Sequence, residues 1–419
     1  MASLQEMDSG MITQPDTKLE IRVARLGQSL ADRLSRVMSA VPGAPAGPVK
    51  LARAIGIDKV LASRALKAVS SSDPIAALKL MPGPEPLRRL SSAAGKNGVS
   101  VELIHELEQA VGEFDELIRE EAGDRSALDA ILASWLPDAR AEFELRRKQA
   151  AYRAMSQLKG SSADVLLASV FFTPSKDDPD KLDLVWVMGM LGLQRVRPGS
   201  PIKYASRRLS TDPTTNSPRQ PTSLDGTPVD DFNGLRLDQF CSKPLASIEV
   251  QRIGEVVHYL LGDDAAFGPH SGIDLVFGEM NRRELPRYVP RETPPRQRFA
   301  FAEISIPSKR LVFDAYVHRD LLPTTPTLSI YETAFEGTAN VNDRSRDIDK
   351  FDLQETVTSL GGGFLRSRCP EAPWYGDLLS MVATKLAMNP NDLVGWRTEM
   401  DYPIYGTQVV MAWEALVRE

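Results

Sequence analysis

Apolar residues recur every three or four positions between Leu19 and Val41, at Val23, Leu26, Leu30, Leu34, Val37 and Val41. That spacing predicts one strongly amphipathic helix. Its stripe fits two uses, packing as the third helix of a small bundle or serving as a narrow dimer seam. Residues 1–17 ahead of it are polar and aperiodic, which predicts a frayed start. The Pro- and Gly-rich run from Pro42 to Pro48 ends this helix and starts the next. The stretch Pro48–Val69 then reads as two short helices around Gly56. Val49, Leu51, Ala52 and Ile55 form the inner side of the first, and Gly56 supplies a left-handed turn. Ile57 is expected as a buried plug, and Asp58 as the cap of the second helix. Leu61, Ala62, Ala65 and Leu66 face inward at helical spacing, while Lys59, Ser63, Arg64 and Lys67 face outward.

The helical texture continues. Asp73-Pro74 opens a helix over 74–80, and another is expected near 85–95. Ser100 caps one reaching Glu121, Asp124 one reaching Leu136, and Asp138 a longer one through Leu158. No strand-turn-strand follows Val69, which argues against a winged module. At Gly160 the pattern changes to β-rich runs: Val165–Phe172, Leu184–Leu191, Ile248–Leu261, Phe299–Ile306, Leu311–Val317, Leu328–Tyr331 and Thr407–Trp413. Pro307-Ser308-Lys309 looks like a hairpin link, and a helix is expected near 375–388. The Ser-, Thr-, Pro- and Asp-rich stretch 207–230 reads as a long exposed polar loop, with disorder open to it. The expected fold is therefore multidomain: an all-α region over 1–159 with a helix-turn-helix at 48–69, then an α+β domain over 160–419 with a mostly antiparallel sheet.

The pair of helices at 48–69 resembles the helix-turn-helix of bacterial transcriptional regulators. The matching residues are Ala52, Gly56, Ile57, and Ser63-Arg64 followed by Leu66. Ala62 and Ala65 stand where many members carry larger aliphatics. The resemblance is confined to this motif and implies binding of double-stranded DNA. Lys59, Ser63, Arg64 and Lys67 would meet the major groove, with Arg64 reading a base, while Lys50 and Arg53 would touch phosphates. An ordinary helical hairpin is the competing reading.

The chain of 419 residues is mildly acidic, with a net charge of −6, which at first opposes a DNA contact. Local charge removes the objection. Residues 1–100 carry 14 Lys and Arg against 8 Asp and Glu, and 101–150 carry 6 against 13. Because screening confines each field to about 10 Å, the basic head acts on its own. Arg146, Arg147, Lys148 and Arg153 form a second basic spot, read as a solvated helical face.

Other chemistry is sparse. Tyr316–Leu321 includes His318-Arg319-Asp320 and resembles a kinase catalytic loop. The family's metal-binding Asn is replaced by Thr325, and no glycine-rich phosphate loop accompanies it. A strand end with a turn is the plainer reading. Gly361-Gly362-Gly363 lacks the lysine of a phosphate loop and reads as a bulge or loop. His258 and His270 flank Asp263, Asp264 and Asp274 without a recognised metal spacing. Cys241 and Cys369 are too far apart in sequence to suggest a disulfide framework and read as buried fillers. No apolar run is long enough to span a membrane, and no secretion signal opens the chain, so a cytoplasmic location is expected.

These readings lead to a DNA-binding transcriptional regulator. Its C-terminal domain would bind a small-molecule effector, bind a protein partner or assemble a homodimer. No cofactor, metal or catalytic residue is expected. Two alternatives remain at this level: a non-DNA assembly protein with a helical head, and an enzyme with an unrecognised C-terminal site.

Overall fold

A computed structural model describes residues 14–418 except 44–46, 209–220, 231, 255, 263–267, 269–271, 322–323, 335–336 and 338–339. The chain divides into two compact units, Met1–Phe143 and Glu144–Glu419. The change from helix to strand comes later, at Gly160, so the last stretch of helix belongs with the sheets.

The first unit is helical. Its elements are α1 (Gln14–Ser39), α2 (Pro48–Ile55), α3 (Lys59–Val69), α4 (Pro74–Leu80), α5 (Pro84–Lys96), α6 (Val101–Leu117) and α7 (Arg125–Ser134). Val23, Leu26, Leu30, Leu34 and Val37 of the stripe are buried on α1, Val41 is buried just beyond the end of the helix at Ser39, and α1 packs against α3, α4, α5 and α6. The stripe is thus consumed inside the unit and is not a free dimer seam. α1 also starts earlier than the periodicity implied, taking in residues 14–17; the start at 1–13 lies outside the described residues. After α6 the chain widens into one π turn, Ile118–Ala122, so the α-helix stops short of Glu121.

α1 and α4 pack closely. A Cβ added at Gly27 would lie 2.1 Å from the Pro74 carbonyl oxygen, a backbone atom that a rotamer change cannot move. Gly27→Ala is therefore expected to destabilise the helical unit by about 1–3 kcal/mol through overpacking. Thermal unfolding followed by far-UV circular dichroism checks this; an unchanged melt would contradict the close approach.

The second unit begins within α8 (Pro137–Lys159). Asp138 lies in the first turn of α8 rather than at its cap, because Pro137 already opens the helix and the Arg140 N–H returns to the Leu136 carbonyl. The strands are β1 (Ser161–Pro174), β2 (Lys181–Arg195), β3 (Ile202–Arg208), β4 (Ile248–Ile253), β5 (Val256–Leu261), β6 (Ile273–Pro286), β7 (Gln297–Glu303), β8 (Ser308–His318), β9 (Thr327–Glu332) and β10 (Thr358–Gly362). Then come α9 (Tyr375–Leu386), β11 (Leu393–Asp401) and β12 (Thr407–Glu414).

A six-stranded sheet runs β10-β11-β8-β1-β2-β6, and β1 with β8 is its parallel pair. The other pairings between these strands are antiparallel. Two three-stranded sheets, β7-β12-β9 and β3-β5-β4, complete the unit. β1 is buried on both faces. Val165, Leu167 and Phe171 join the core under α9, with Leu378, Leu379 and Val382. Leu166, Ala168, Val170 and Phe172 join a second core with Ala300, Val409, Met411 and Trp413. This two-sided burial explains why β1 reads as a continuous apolar run.

Several sequence expectations change here. β7 and β8 lie in different sheets, so Pro307–Lys309 is a crossing between layers, not a hairpin link. The run Ile248–Leu261 is two strands that turn at Gly254, whose φ of +60° suits glycine. Of the stretch 207–230, residues 209–220 lie outside the described residues. Its start belongs to β3, and 221–230 forms a turn closed by a Thr222–Pro228 bridge over buried Leu224.

Candidate nucleic-acid interface and a buried charge centre

The α2–α3 pair is built from local signals. Gly56 ends α2 with φ 71° and ψ 36°, a left-handed residue that β-branched side chains adopt only under strain. The Ile57 N–H returns to the Ala52 carbonyl at 3.0 Å, a Schellman-type closure. One carboxylate oxygen of Asp58 accepts the Val60 N–H at 2.7 Å and the Leu61 N–H at 3.4 Å, capping α3 as its sequence position implied. Ala62, Ala65 and Ala68 are fully buried, and their small side chains let α3 lie close to its neighbours. Leu61, Leu66 and Ile57 are only half-buried, so Ile57 is not a plug. Val49 is exposed rather than part of the inner side of α2.

The outward face carries the expected cations. Lys50 and Arg53 on α2, and Lys59, Arg64 and Lys67 on α3, are exposed, and Ser63 is half-buried. Among the described residues no ion pair holds these five cations. Arg64 does have a neighbour. Its Nη2 lies 3.4 Å from the Met81 carbonyl at the end of α4, a long contact.

That carbonyl is shared with Arg125, which the sequence reading passed over. Arg125 donates to the Leu78, Lys79 and Met81 carbonyls at 2.9–3.4 Å and pairs with Asp129 at 3.0 Å. It closes the C-terminus of α4, where unsatisfied carbonyls favour a cation. Its guanidinium also lies 5.1 Å from the Phe114 ring centroid. Burial pushes the Arg125 pKa below its ordinary value, Asp129 acts against that, and nearby Arg64 adds to the lowering. Two cations on one carbonyl leave Arg64 the more loosely held, since it makes a single long contact. The visible signal for Arg125 was its place directly after the helix-capping Asp124.

The second unit holds a buried charge centre at its middle. Asp314, in β8, is fully buried. It accepts Arg397 Nε at 2.7 Å and Nη2 at 2.8 Å, a two-point pair with the neighbouring strand β11. The Tyr375 hydroxyl donates to the same carboxylate at 2.6 Å and the Tyr316 hydroxyl at 2.9 Å. Ser169, 2.8 Å from the Tyr375 oxygen, completes the group. Burial works against the Arg397 charge, but the hydrogen bonds and charge of Asp314 outweigh it and raise its pKa. Burial, aided by Asp314, holds both phenols well above the ordinary tyrosine value.

From this centre a chain of charged contacts reaches the surface. Arg397 meets Glu399 at 3.1 Å, Glu399 meets Arg310 at 2.8 Å, and Arg310 meets Glu371 at 2.8 Å. Arg310 and Glu399 line an open cleft of about 430 Å³ together with Leu145, Lys148, Glu355 and Asp401. Lys148 is not part of a solvated basic face: it is buried and paired with Glu355.

The remaining sequence candidates separate. Gly361 falls at a register shift between β10 and β11, as a bulge reading implies. His318 ends β8 and Arg319–Leu321 form a single 3-10 turn. His270, Asp263 and Asp264 lie outside the described residues, and His258 contacts Ser206 at 2.9 Å. Among the described residues no cluster of His, Cys, Asp and Glu is arranged to hold a metal ion, and no helix is long and apolar enough to cross a membrane.

Both cysteines are buried free thiols. Burial, with Glu371 adding to it, pushes the Cys369 thiol up to about 11. The folded state therefore favours the protonated thiol. This contribution to stability is complete below the unfolded thiol pKa of about 8.5 and is lost as pH rises through the folded value. At pH 8.5, iodoacetamide should label Cys369 slowly in the folded chain and rapidly in urea, as read by peptide mass spectrometry; equal rates would contradict the burial.

No protein-family model and no curated protein matches the chain.

Proposed function

We propose that the chain is a DNA-binding transcriptional regulator, with α3 as the helix that enters the major groove. The observation that carries this reading is the outward face of α2 and α3. Lys50, Arg53, Lys59, Arg64 and Lys67 are exposed there, beside a turn built on Gly56 and capped by Asp58. An anionic duplex is attracted by such a face, and a helix of 11 residues is long enough to lie in one groove. The acidic residues at the end of α6 and in the π turn have other partners: Glu120 and Glu121 pair with Arg22, and Asp115 pairs with Arg88.

For the sheet unit, the three roles of effector binding, partner binding and oligomerisation stand together, and the open cleft lined by Arg310, Glu399 and Asp401 is where an effector would be sought. A screen for effectors must use the full chain, because Leu145 and Lys148 on α8 line the cleft and are lost from a fragment starting at 160.

The testing experiment for DNA binding is fluorescence anisotropy of the full chain on duplex DNA at several salt concentrations. Binding should weaken steeply as salt rises. Folded protein that shows no binding at low salt would remove the reading.

A further inference from the structure

We infer that Val60 is a specificity-determining residue that reads the 5-methyl group of a pyrimidine in the major groove; this rests on the DNA-binding reading above. Val60 is the second residue of α3 and is 65% exposed. The unit has other exposed aliphatics, at Ile21, Val49, Leu80 and Val101, but Val60 is the one on α3. It stands beside Lys59 and one turn before Ser63 and Arg64. No packing role in the helical core explains its branched side chain, because the core contacts of α3 are made by Ala62, Ala65 and Ala68, with Leu61, Leu66 and Val69 packed against them.

Its position is fixed by two independent restraints. The Val60 N–H is held by the Asp58 carboxylate at 2.7 Å. A β-branched side chain in a helix has one strongly preferred χ1. The two methyl groups therefore point in a set direction from the opening turn of α3, the part of such a helix that comes nearest the base edges. They have no hydrogen-bonding capacity. The apolar group that base edges offer in the major groove is the thymine methyl. A cytosine carrying a 5-methyl group presents the same chemistry, so the contact would recognise the methyl group from either source.

The test removes or adds single methyl groups on the DNA. A site enriched by selection with the full chain is synthesised with each thymine replaced in turn by uracil, which removes only the methyl group. In a second series each cytosine is replaced by 5-methylcytosine. Affinity is read by fluorescence anisotropy for the wild type and for Val60→Ser, whose folding is checked by its thermal melt. Wild-type protein should lose about fourfold in affinity at one thymine, the worth of one buried methyl group. Val60→Ser should bind the thymine and uracil duplexes equally at that position. If the recognised methyl belongs to 5-methylcytosine instead, the gain appears in the second series and is likewise lost in Val60→Ser. An enriched site on which both series are neutral, or a penalty that Val60→Ser leaves unchanged, overturns the role of Val60 while DNA binding stands. A folded wild-type chain that enriches no site overturns both.

Discussion

Arg397→Ala should destabilise the sheet unit by about 3–5 kcal/mol, the cost of leaving a buried charge without its partner. Asp314 is fully buried and receives two of its four hydrogen bonds from Arg397. Removing the guanidinium strands the carboxylate between two phenols that already donate to it. Water cannot easily replace the lost donors, because α9 and the apolar core around it cover this side of the sheet. Arg397→Lys should fall in between, since a lysine supplies charge without the two-point geometry. Arg310→Ala is the matching control. Its pairs with Glu371 and Glu399 are partly exposed to solvent, where such a pair is worth about 0–1 kcal/mol. Urea unfolding checks the series, followed by fluorescence from Trp186, Trp374, Trp396 and Trp413, all in this unit. Equal losses for Arg397→Ala and Arg310→Ala would contradict the centre.

The next largest effect concerns DNA, and two classes of substitution should behave differently. Arg64→Ala should cost about 1–3 kcal/mol on the preferred site and relax discrimination at one base pair. Its single long contact with Met81 is no obstacle, because Arg125 approaches that carbonyl at the same 3.4 Å. Lys50→Ala and Arg53→Ala should weaken preferred and random duplex alike, each reducing the salt slope by about one. Lys67, one turn after Arg64, and Lys59, at the start of α3, are also exposed and add charge to the approach. Anisotropy titrations against salt separate the classes. Uniform losses for Arg64→Ala on both duplexes would make it a phosphate contact and not a base reader.

The helical unit was the more legible half of the sequence. Its signals are local: the α1 stripe, Asp58 and Asp73 at caps, prolines at first turns, and Gly56 at a left-handed turn. Each reports on neighbours within a few positions, so each can be read without knowing the fold. The exposed cations of α2 and α3 were legible for the same reason. What periodicity could not convey is contact between distant segments. Arg125 on the end of α4 and Gly27 against Pro74 are of this kind.

The sheet unit shows the same limit more sharply. β11 was missed because Gly395, Arg397 and Glu399 interrupt the apolar pattern. Gly395 is small because a Cβ there would come within 3.0 Å of the Tyr316 ring, and Arg397 is polar because it answers Asp314 across the ladder. β6 was missed because its second half is charged where it leaves the core. One clue was present: Asp314 stands in the middle of the run Leu311–Val317, where a lone acid demands a buried partner. Nothing in the sequence names that partner, because it is contributed from 83 positions away.

The central claim is that the α2–α3 face reads duplex DNA. Selection of the full chain against a random-sequence duplex pool tests it most directly, with genomic footprinting to locate the enriched sequence. The account predicts one enriched sequence. Its affinity should fall steeply with salt and drop further when Lys50, Arg53, Lys59 and Lys67 are replaced by glutamine. Folded protein that enriches nothing, or an enriched sequence bound equally well by the glutamine variant, would contradict the account and leave a helical assembly module in its place.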